Sequence, residues 1–462
     1  MAAGELALVL HAHLPYVRSG QPGSLEEDWY FQALQECYLP LLAVLETAAA
    51  DPAQNPKLTL GLSPTLLSLL SDAALNRRFL PWLELRLSLL AEAPAELAEA
   101  AAALMAELSA VVSQWRDCGG DLLQRFRRLQ KGGVLDLITC AATHGYLPLL
   151  RDSPEAVRAQ LLTAIRVHQR LLGERPLGIW LPECAYYEGL DNQLAACGLR
   201  YSLLDAHGLL HALPRPRYGV YAPVCSPGGA AFFARDSEST LPVWSASQGY
   251  PGDGAYREFH RDLGWDLPEE LLREHGIADR RPLGLKLHRV TAQGCPLENK
   301  QPYEPAEAAE RLQQHAATYL QGRVQQLQGL AGAIERPPLL VAPFDAELFG
   351  HWWFEGPRFL AELFRQGPAA ELRFTHLRDV LSHSQTLQVC RPSPSSWSQG
   401  GYHDYWLNES NSWVVAEWQR ASRAMVRRVN RGVGSSEQRD WLTQAGRELL
   451  LAQSSDWSFI LR

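Results

Sequence analysis

Two carboxyl groups stand directly after short apolar runs, where strands of a parallel sheet end. Glu183 follows the run 178–181 in the string WLPEC, and Asp345 follows the run 339–343 in the string APFDAE. Cleavage of a glycosidic bond requires one ionised carboxyl to attack or stabilise the anomeric carbon and one protonated carboxyl to donate to the leaving oxygen. Aromatic residues near both positions favour this chemistry. Taken singly, either carboxyl could instead form an ion pair or cap a helix.

Histidines mark the ends of two further apolar runs. His11 and His13 follow the run 6–10, and His144 stands in the string ATHGY. Such side chains can hydrogen-bond sugar hydroxyls, or they can be buried structural residues. A His-x-His pair after a first strand also begins the zinc site of metal-dependent amidohydrolases. That alternative leaves Glu183 and Asp345 without a role.

Tryptophan is abundant, with fourteen residues in the chain. Eight of them lie in the last quarter of the sequence: Trp352, Trp353, Trp397, Trp406, Trp413, Trp418, Trp441 and Trp457. One interpretation is core filling. The other is a set of stacking platforms, because an indole face suits the apolar face of a sugar ring and its N–H can reach a hydroxyl.

Alternating strand and helix patterns predict the elements that position these groups. Strands are predicted at 6–10, 58–62, 134–139, 178–181, 201–204, 283–287 and 339–343, with helices at 154–172 and 307–334. This alternation is typical of an α/β barrel, whose active site gathers at the carboxyl ends of the strands.

Three segments interrupt the barrel pattern. Residues 71–131 are rich in Ala, Leu and Glu and predict an inserted helical subdomain. Residues 205–282 read as long loops over the site, and 384–401 as a linker. Two helices are predicted at 412–431 and 436–453. The domains are therefore expected at 1–70 with 132–383, at 71–131, and at 384–462.

Composition restricts the partners and the compartment. The chain has 462 residues, is 46% hydrophobic and carries a net charge of −8, which is typical of a globular protein. Nucleic acid and anionic membranes need clustered Lys and Arg, so neither is an expected partner. Eight cysteines without a CxxC pair indicate reduced thiols. The chain shows no signal-peptide pattern and no run near the length of a membrane span, so we expect a cytoplasmic protein.

Several strings together resemble the 1,4-α-glucan branching enzymes of glycoside hydrolase family 57. They are HAHLPYVR, ATHGYLPLL, WLPECAYYEGLD, FFARD, VWSASQGYPGDGAYREFHRDLGWDLP, APFDAELFGHWWFEGP and SSDWSF. The resemblance runs from residue 6 to 459. It implies a distorted (β/α)7 barrel with an inserted helical subdomain and a C-terminal helical domain. It also implies a retaining transfer from an α-1,4-glucan donor to an α-glucan acceptor, with no metal or other cofactor.

The resemblance also assigns roles to single residues. Glu183 resembles the nucleophile and Asp345 the general acid/base. The remaining matched positions are substrate-binding: His11, His13, His144, Arg261, Gly276, Trp406, Trp413 and Asp456. Trp406 and Trp413 could instead be interface-core residues. Trp265 and Trp352 are interpreted as packing residues.

One departure from the family pattern concerns a loop over the site. The family carries a tyrosine on a mobile loop that favours transfer over hydrolysis, whereas the corresponding segment 221–232 is short here and has no tyrosine after Tyr221. The alternatives that follow are an amylase-like α-glucan hydrolase and a weakly catalytic glucan-binding homologue. The oligomeric state stays open.

Overall fold

The computed structural model describes residues 4–18, 23–245, 249–384 and 386–462. Residues 246–248 of the string VWSASQGYPG and residue 385 of the predicted linker lie outside these ranges. The strands in the described residues are β1 Glu5–Ala12, β2 Leu58–Leu62, β3 Leu135–Cys140, β4 Ile179–Trp180, β5 Tyr201–Leu204, β6 Val224–Cys225, β7 Ala231–Ala234, β8 Leu339–Asp345, β9 Arg373–Phe374 and β10 Gln388–Val389.

Helices fill most of the connections. The α-helices are α1 Leu25–Ala33, α2 Leu39–Ala50, α3 Pro64–Leu70, α4 Ala73–Asn76, α5 Phe79–Leu90, α6 Ala98–Asp117, α7 Leu122–Lys131, α8 Leu147–Leu150, α9 Pro154–Leu172, α10 Leu190–Ala196, α11 Ala206–Leu210, α12 Ser237–Trp244, α13 Leu263–Asp266, α14 Glu269–Glu274, α15 Pro305–Ala331, α16 Gly356–Gln366, α17 Leu377–His383, α18 Ser412–Asn430, α19 Ser436–Ala452 and α20 Ser455–Ile460. A π-helix spans Leu34–Tyr38, and 3-10 turns span Ala95–Leu97, Pro182–Cys184, Tyr250–Gly252, Leu297–Asn299 and Ala346–Leu348.

The strands form a curled, mostly parallel half-barrel. One sheet has the order β4-β3-β2-β1-β8, with β9 also pairing β1, and its pairings are parallel. A second sheet has the order β10-β6-β7-β5, and a parallel bridge between Gly178 and Tyr201 connects the two. Parallel strands place their carboxyl ends along one edge. The groups that follow β1, β3, β4 and β8 therefore meet there.

Burial on both faces explains the apolar runs of the central strands. The run Leu6–Leu10 of β1 is at most 1% exposed, and β2 and β3 are buried along their whole lengths. Strands covered on both faces read as continuous hydrophobic runs, which is how they were recognisable in the sequence.

The prediction of a strand at 283–287 is wrong. In this segment the backbone N–H groups of Leu283, Gly284 and Leu285 donate to the carboxylate of Asp262, at 2.9, 2.9 and 3.1 Å. Gly284 also takes a φ of +76°, in the left-handed region. A side chain thus takes the hydrogen bonds that a neighbouring strand would need, and the segment stays irregular although it is buried.

The remaining segments largely follow the sequence pattern. Residues 71–131 contain α4 to α7, and the C-terminal region contains α18 to α20. Residues 205–282 are less irregular than predicted, because they hold α11 to α14 and two strands of the second sheet. No helix in the described part of the chain is long and apolar enough to cross a membrane.

Candidate active site

The carboxyl ends of β1, β4 and β8 open into a cleft of about 600 Å³. The C-terminal region forms part of its wall. The lining residues are His11, His13, Leu14, Trp29, Gln32, Ala33, His144, Glu183, Asp345, Glu347, His351, Trp352, Trp397, Asp456 and Phe459. Six of the ten predicted site residues therefore share one cleft: Glu183, Asp345, His11, His13, His144 and Asp456.

Glu183 projects from a strained turn directly after β4. Its φ is +60° and that of Cys184 is +49°, in the left-handed region that side chains rarely adopt. Such strain persists where the surroundings over-determine it, and it clusters at functional sites. The proline at 182 ends the strand, so the turn directs the carboxyl into the cleft rather than along the sheet.

Residues from the C-terminal region hold the carboxyl of Glu183. The indole nitrogen of Trp397 donates to Oε2 at 2.7 Å, and the hydroxyl of Ser455 donates to Oε1 at 3.3 Å. Burial raises the pKa of Glu183 to about 7, while the Trp397 hydrogen bond lowers it and the charge of Asp345 raises it. The carboxyl is thus poised between its two protonation states near neutral pH.

Asp345 is the last residue of β8 and lies near two other acidic side chains. Burial raises its pKa well above the usual range, and the charges of Glu347 and Asp456 raise it further. Glu347 accepts hydrogen bonds from the Tyr38 hydroxyl at 2.6 Å and from the backbone N–H of His13 at 3.0 Å. A carboxyl in these surroundings keeps its proton, which a general acid needs.

Four aromatic rings at the carboxyl ends of β1, β3 and β4 stack with nearly parallel planes, and we call them the histidine column. The ring centroids are 4.8 Å apart for Trp180 and His11, 5.2 Å for His11 and His144, and 4.0 Å for His144 and His13. Burial lowers the pKa values of His11 and His144 well below the usual range, and the neighbouring imidazoles add to this. Both nitrogens of His11 and Nε2 of His144 have no partner in the described protein. Neutral imidazoles can donate to and accept from hydroxyl groups of a sugar.

Asp456 is the acidic partner of this column. Its Oδ2 lies 3.2 Å from Nε2 of His13, and it accepts a hydrogen bond from the Ser454 hydroxyl. Burial works to raise the pKa of Asp456, but the charge and hydrogen bond of His13 hold it below the usual range. Nδ1 of His13 lies 2.9 Å from the Ser63 hydroxyl, so both nitrogens of this ring are engaged.

Two groups of side chains in the described residues could hold a metal ion. They are His11, Cys140 and His144, and His13, His144 and Asp456, whose ligand atoms lie within 4.8 Å of one another in each group. Burial raises the pKa of Cys140 well above its usual range, which disfavours the thiolate that a metal binds. His11 and His13, the pair expected to bind zinc together in an amidohydrolase, belong to different groups.

Four predicted substrate-binding residues do not appear among the described residues that line the cleft. Arg261 pairs with Asp266 at 3.3 Å, and Gly276 follows α14 with a φ of +79°. Trp406 is 2% exposed and stacks on Tyr146 at 4.5 Å, as the interface-core alternative describes. Trp413 is 59% exposed at the start of α18.

The segment 221–232, which corresponds to the family's loop over the site, contributes to the second sheet. Within 221–232, Val224–Cys225 pairs antiparallel with β7 in the second sheet. No residue of this segment is among the described residues that line the cleft.

Sequence reasoning missed two residues that hold the carboxyl of Glu183, and two that line the cleft beyond Asp345. Trp397 lies in a Ser- and Pro-rich stretch that predicts a linker, and Ser455 precedes the predicted Asp456. Glu347 and His351 lie in the motif around Asp345 without having been singled out. The sequence could have indicated Glu347 and His351, because polar residues just beyond a strand end lie at the same edge of the sheet as the end of that strand.

Comparisons with known proteins relate the chain to one family of glycosyl hydrolases. Residues 7–389 match the family model described as glycosyl hydrolase family 57, and residues 417–462 match the model described as 1,4-alpha-glucan branching enzyme, C-terminal. The chain is 31% identical to the 1,4-alpha-glucan branching enzyme of Thermococcus kodakarensis, covering 99% of this chain and 70% of that protein.

Solved structures of two related proteins have the same fold. The α-amylase AmyC of Thermotoga maritima matches with a TM-score of 0.91 at 34% identity, covering all of this chain and 89% of that one. The branching enzyme of Pyrococcus horikoshii matches with a TM-score of 0.88 at 32% identity, covering 99% of this chain and 85% of that one.

Proposed function

Because this chain belongs to glycosyl hydrolase family 57, we propose that it is a 1,4-α-glucan branching enzyme. The observation that carries the proposal is the pair Glu183 and Asp345, which face one cleft from β4 and β8, the first and last strands in the order of the first sheet. The match of residues 417–462 to the branching-enzyme C-terminal model supports it, as do the similar branching enzymes.

The two carboxyls divide the chemistry of a double displacement. Ionised Glu183 attacks the anomeric carbon of the donor, and Asp345 gives its proton to the glycosidic oxygen of the departing chain. Asp345 then takes the proton from the 6-hydroxyl of an acceptor glucan, whose oxygen displaces Glu183 from the glycosyl ester. Each residue returns to its starting state, an α-1,6 bond replaces an α-1,4 bond, and two inversions retain the α configuration.

The histidine column supplies the binding side of this proposal. His11 and His144 would hydrogen-bond the sugar that is attacked, and His13, whose two ring nitrogens meet Ser63 and Asp456, would line the sugar's binding site beside them. The unpartnered ring nitrogens of His11 and His144 support this role, because buried polar atoms are normally hydrogen-bonded.

Counting branch points tests the proposal. Amylose is incubated with the wild type or with Glu183→Gln, and α-1,6 linkages are counted after debranching. We expect branch points to accumulate with the wild type and not with the variant. No gain over the variant would contradict branching.

A second candidate function is α-glucan hydrolysis. The similarity to the α-amylase AmyC favours it, as does the absence of the short segment 221–232 from the described cleft lining. The same incubation separates the two functions, because reducing ends that rise without new α-1,6 linkages indicate hydrolysis.

The finer architecture, partners and location are part of the proposal. One path of parallel pairings joins β7, β5, β4, β3, β2, β1 and β8, and these seven strands support a distorted (β/α)7 barrel over 1–70 and 132–383. The helices of 71–131 and 384–462 support an inserted subdomain and a C-terminal helical domain.

An α-1,4-glucan serves as both donor and acceptor, as part of glycogen-type glucan synthesis in the cytoplasm. We propose Trp413 and Arg261 as outlying glucan contacts.

A further inference from the structure

A second cavity lies outside the cleft, between the inserted helices α4 to α7 and the helices α3 and α9. Its volume is about 670 Å³, within the usual range of small-molecule sites, and none of its described lining residues lines the cleft. Four of these lining residues are arginines, and we call the cavity the arginine pocket: Arg77, Arg116, Arg127 and Arg170. The whole chain carries a net charge of −8, so this excess of positive charge is local.

The positive charge of the arginine pocket is only partly neutralised. Asp121 is the one carboxyl among its described lining residues, and its Oδ2 lies 3.5 Å from Nη2 of Arg127. Arg116 pairs with an exposed carboxyl at 3.6 Å. Arg77 and Arg170 form no ion pair and no side-chain hydrogen bond in the described part of the chain. Two guanidinium groups are therefore free for a ligand, and the other two are held only by weak exposed pairs.

A buried donor lines the same space. Trp115 is 5% exposed, and its indole N–H has no acceptor among the residues that the structure describes. Buried polar groups are normally hydrogen-bonded, so this N–H at the cavity wall points to an acceptor supplied from the cavity. The apolar part of the wall is completed by four leucines: Leu70, Leu80, Leu123 and Leu171.

Two glycines leave the edge of this indole open. Gly119 and Gly120 lie in the turn between α6 and α7, with φ of +59° and +76° in the left-handed region, and both line the pocket. A Cβ at Gly120 would lie 3.1 Å from Cζ2 and 3.5 Å from Nε1 of Trp115. A side chain at this position would therefore crowd the edge that carries the free N–H, and glycine keeps that edge accessible.

We propose that the arginine pocket binds a nucleoside diphosphate. Guanidinium groups match phosphate oxygens with paired N–H donors, and two phosphates supply the negative partner that Arg77 and Arg170 lack within the chain. The leucines and the Trp115 indole offer contact area to the apolar faces of a base and a ribose, which inorganic phosphate would leave unused. The indole N–H provides one directional bond to an acceptor of the nucleoside. This inference does not rest on the proposed function, because the pocket lies outside the cleft.

Titration calorimetry with ADP tests this proposal, and pyrophosphate and adenosine probe the two halves of the ligand separately. We expect the wild type to bind ADP at least about tenfold more tightly than either half, because each half uses only one part of the pocket. We also expect the affinity for ADP to fall as KCl is raised, since the four arginines are exposed to solvent. No binding at millimolar ADP overturns the proposal, and pyrophosphate that binds as tightly as ADP overturns the nucleoside assignment.

Variants that remove one charge locate the site. Arg77→Ala and Arg170→Ala each remove an unpaired guanidinium, and we expect each to weaken ADP binding by about fivefold or more. Arg166→Ala is the matched control, because Arg166 is also exposed on α9, one turn earlier, and does not line the pocket. ADP should raise the unfolding temperature of the wild type and of Arg166→Ala more than that of Arg170→Ala. Equal ADP binding by Arg166→Ala and Arg170→Ala would reveal adventitious association only and overturns the site.

Trp115→Phe tests the indole N–H. The variant keeps an aromatic ring against Phe79, whose ring centroid lies 4.6 Å from that of Trp115, but it has no donor. We expect ADP and adenosine to bind about threefold to tenfold more weakly, and pyrophosphate to bind as it does to the wild type. Equal weakening for all three ligands overturns the assignment of the nucleoside to the indole.

Discussion

The indole nitrogen of Trp397 donates a hydrogen bond to Glu183, and this contact bears directly on the charge of the proposed nucleophile. Glu183 must be ionised to attack, while its burial favours the protonated form. Trp397 offsets part of that effect. The chemistry at this residue therefore depends on a donor that comes from 214 positions away in the sequence.

Trp397→Phe tests this dependence through the pH profile. The variant loses a hydrogen bond that stabilises the carboxylate, so the pKa of Glu183 rises further from about 7. The acidic limb of kcat/KM marks ionisation of the free enzyme's nucleophile, so it should move to higher pH by about one to two units. Trp82→Phe is the control, because the Trp82 indole also donates to a carboxylate, Asp28, but away from the cleft. A limb that stays in place contradicts the role of Trp397.

Asp345→Asn tests the assignment of the general acid. Removing the proton donor should reduce the rate on amylose by about 10²–10⁴-fold. An α-maltosyl fluoride donor needs no protonation of its leaving group, so the variant should form the glycosyl-enzyme from it at a rate much closer to the wild type. Glu183→Gln should fail on both donors. Equal losses of Asp345→Asn on both donors would contradict the assignment.

At the scale of elements, the apolar pattern of the sequence predicts the strands and helices whose formation depends on burial and strand order. The runs 58–62 and 201–204 and the helix 154–172 are found with the predicted bounds, because each buries a continuous or amphipathic apolar pattern. Glu183 and Asp345 were identifiable because each follows such a run. The segment 283–287 and Trp397 were not, because a distant partner decides both: Asp262 for the first and Glu183 for the second.

Gly61 illustrates how a strand makes room for the site. It is the register partner of His11 across β1 and β2, and a Cβ there would lie 3.0 Å from Nδ1 of His11. Gly61→Ala should therefore displace the imidazole and lower kcat/KM on maltooligosaccharides by about tenfold, a loss of about 1.4 kcal/mol in transition-state binding. Gly322→Ala is the matched control, because nothing lies within 4 Å of that Cβ on α15. Equal kinetics for the two variants would contradict this account.

At the scale of the whole molecule, the candidate active site is completed by α20. The backbone N–H of Ser455 donates to the carbonyl of His144 at 3.0 Å, and its hydroxyl lies 2.7 Å from Nδ1 of His144. The neighbouring Asp456 reaches His13 from the first strand. The half-barrel alone therefore lacks two of the groups that orient its histidines and Glu183, the proposed nucleophile. The region that supplies them falls within the match at 417–462.

Ser455→Ala measures what this helix contributes to catalysis. A hydroxyl has one proton, so Ser455 can donate to Glu183 only while it accepts from Nδ1–H of His144. Its removal loosens both side chains, and we expect kcat/KM to fall about tenfold with about 1 kcal/mol of lost stability. Ser458→Ala is the control: Ser458 is also buried in α20, but its hydroxyl bonds only to the Ser455 carbonyl among the described residues. We expect that variant to lose similar stability and keep its rate. Parallel losses of rate in both variants would show that α20 acts through stability alone.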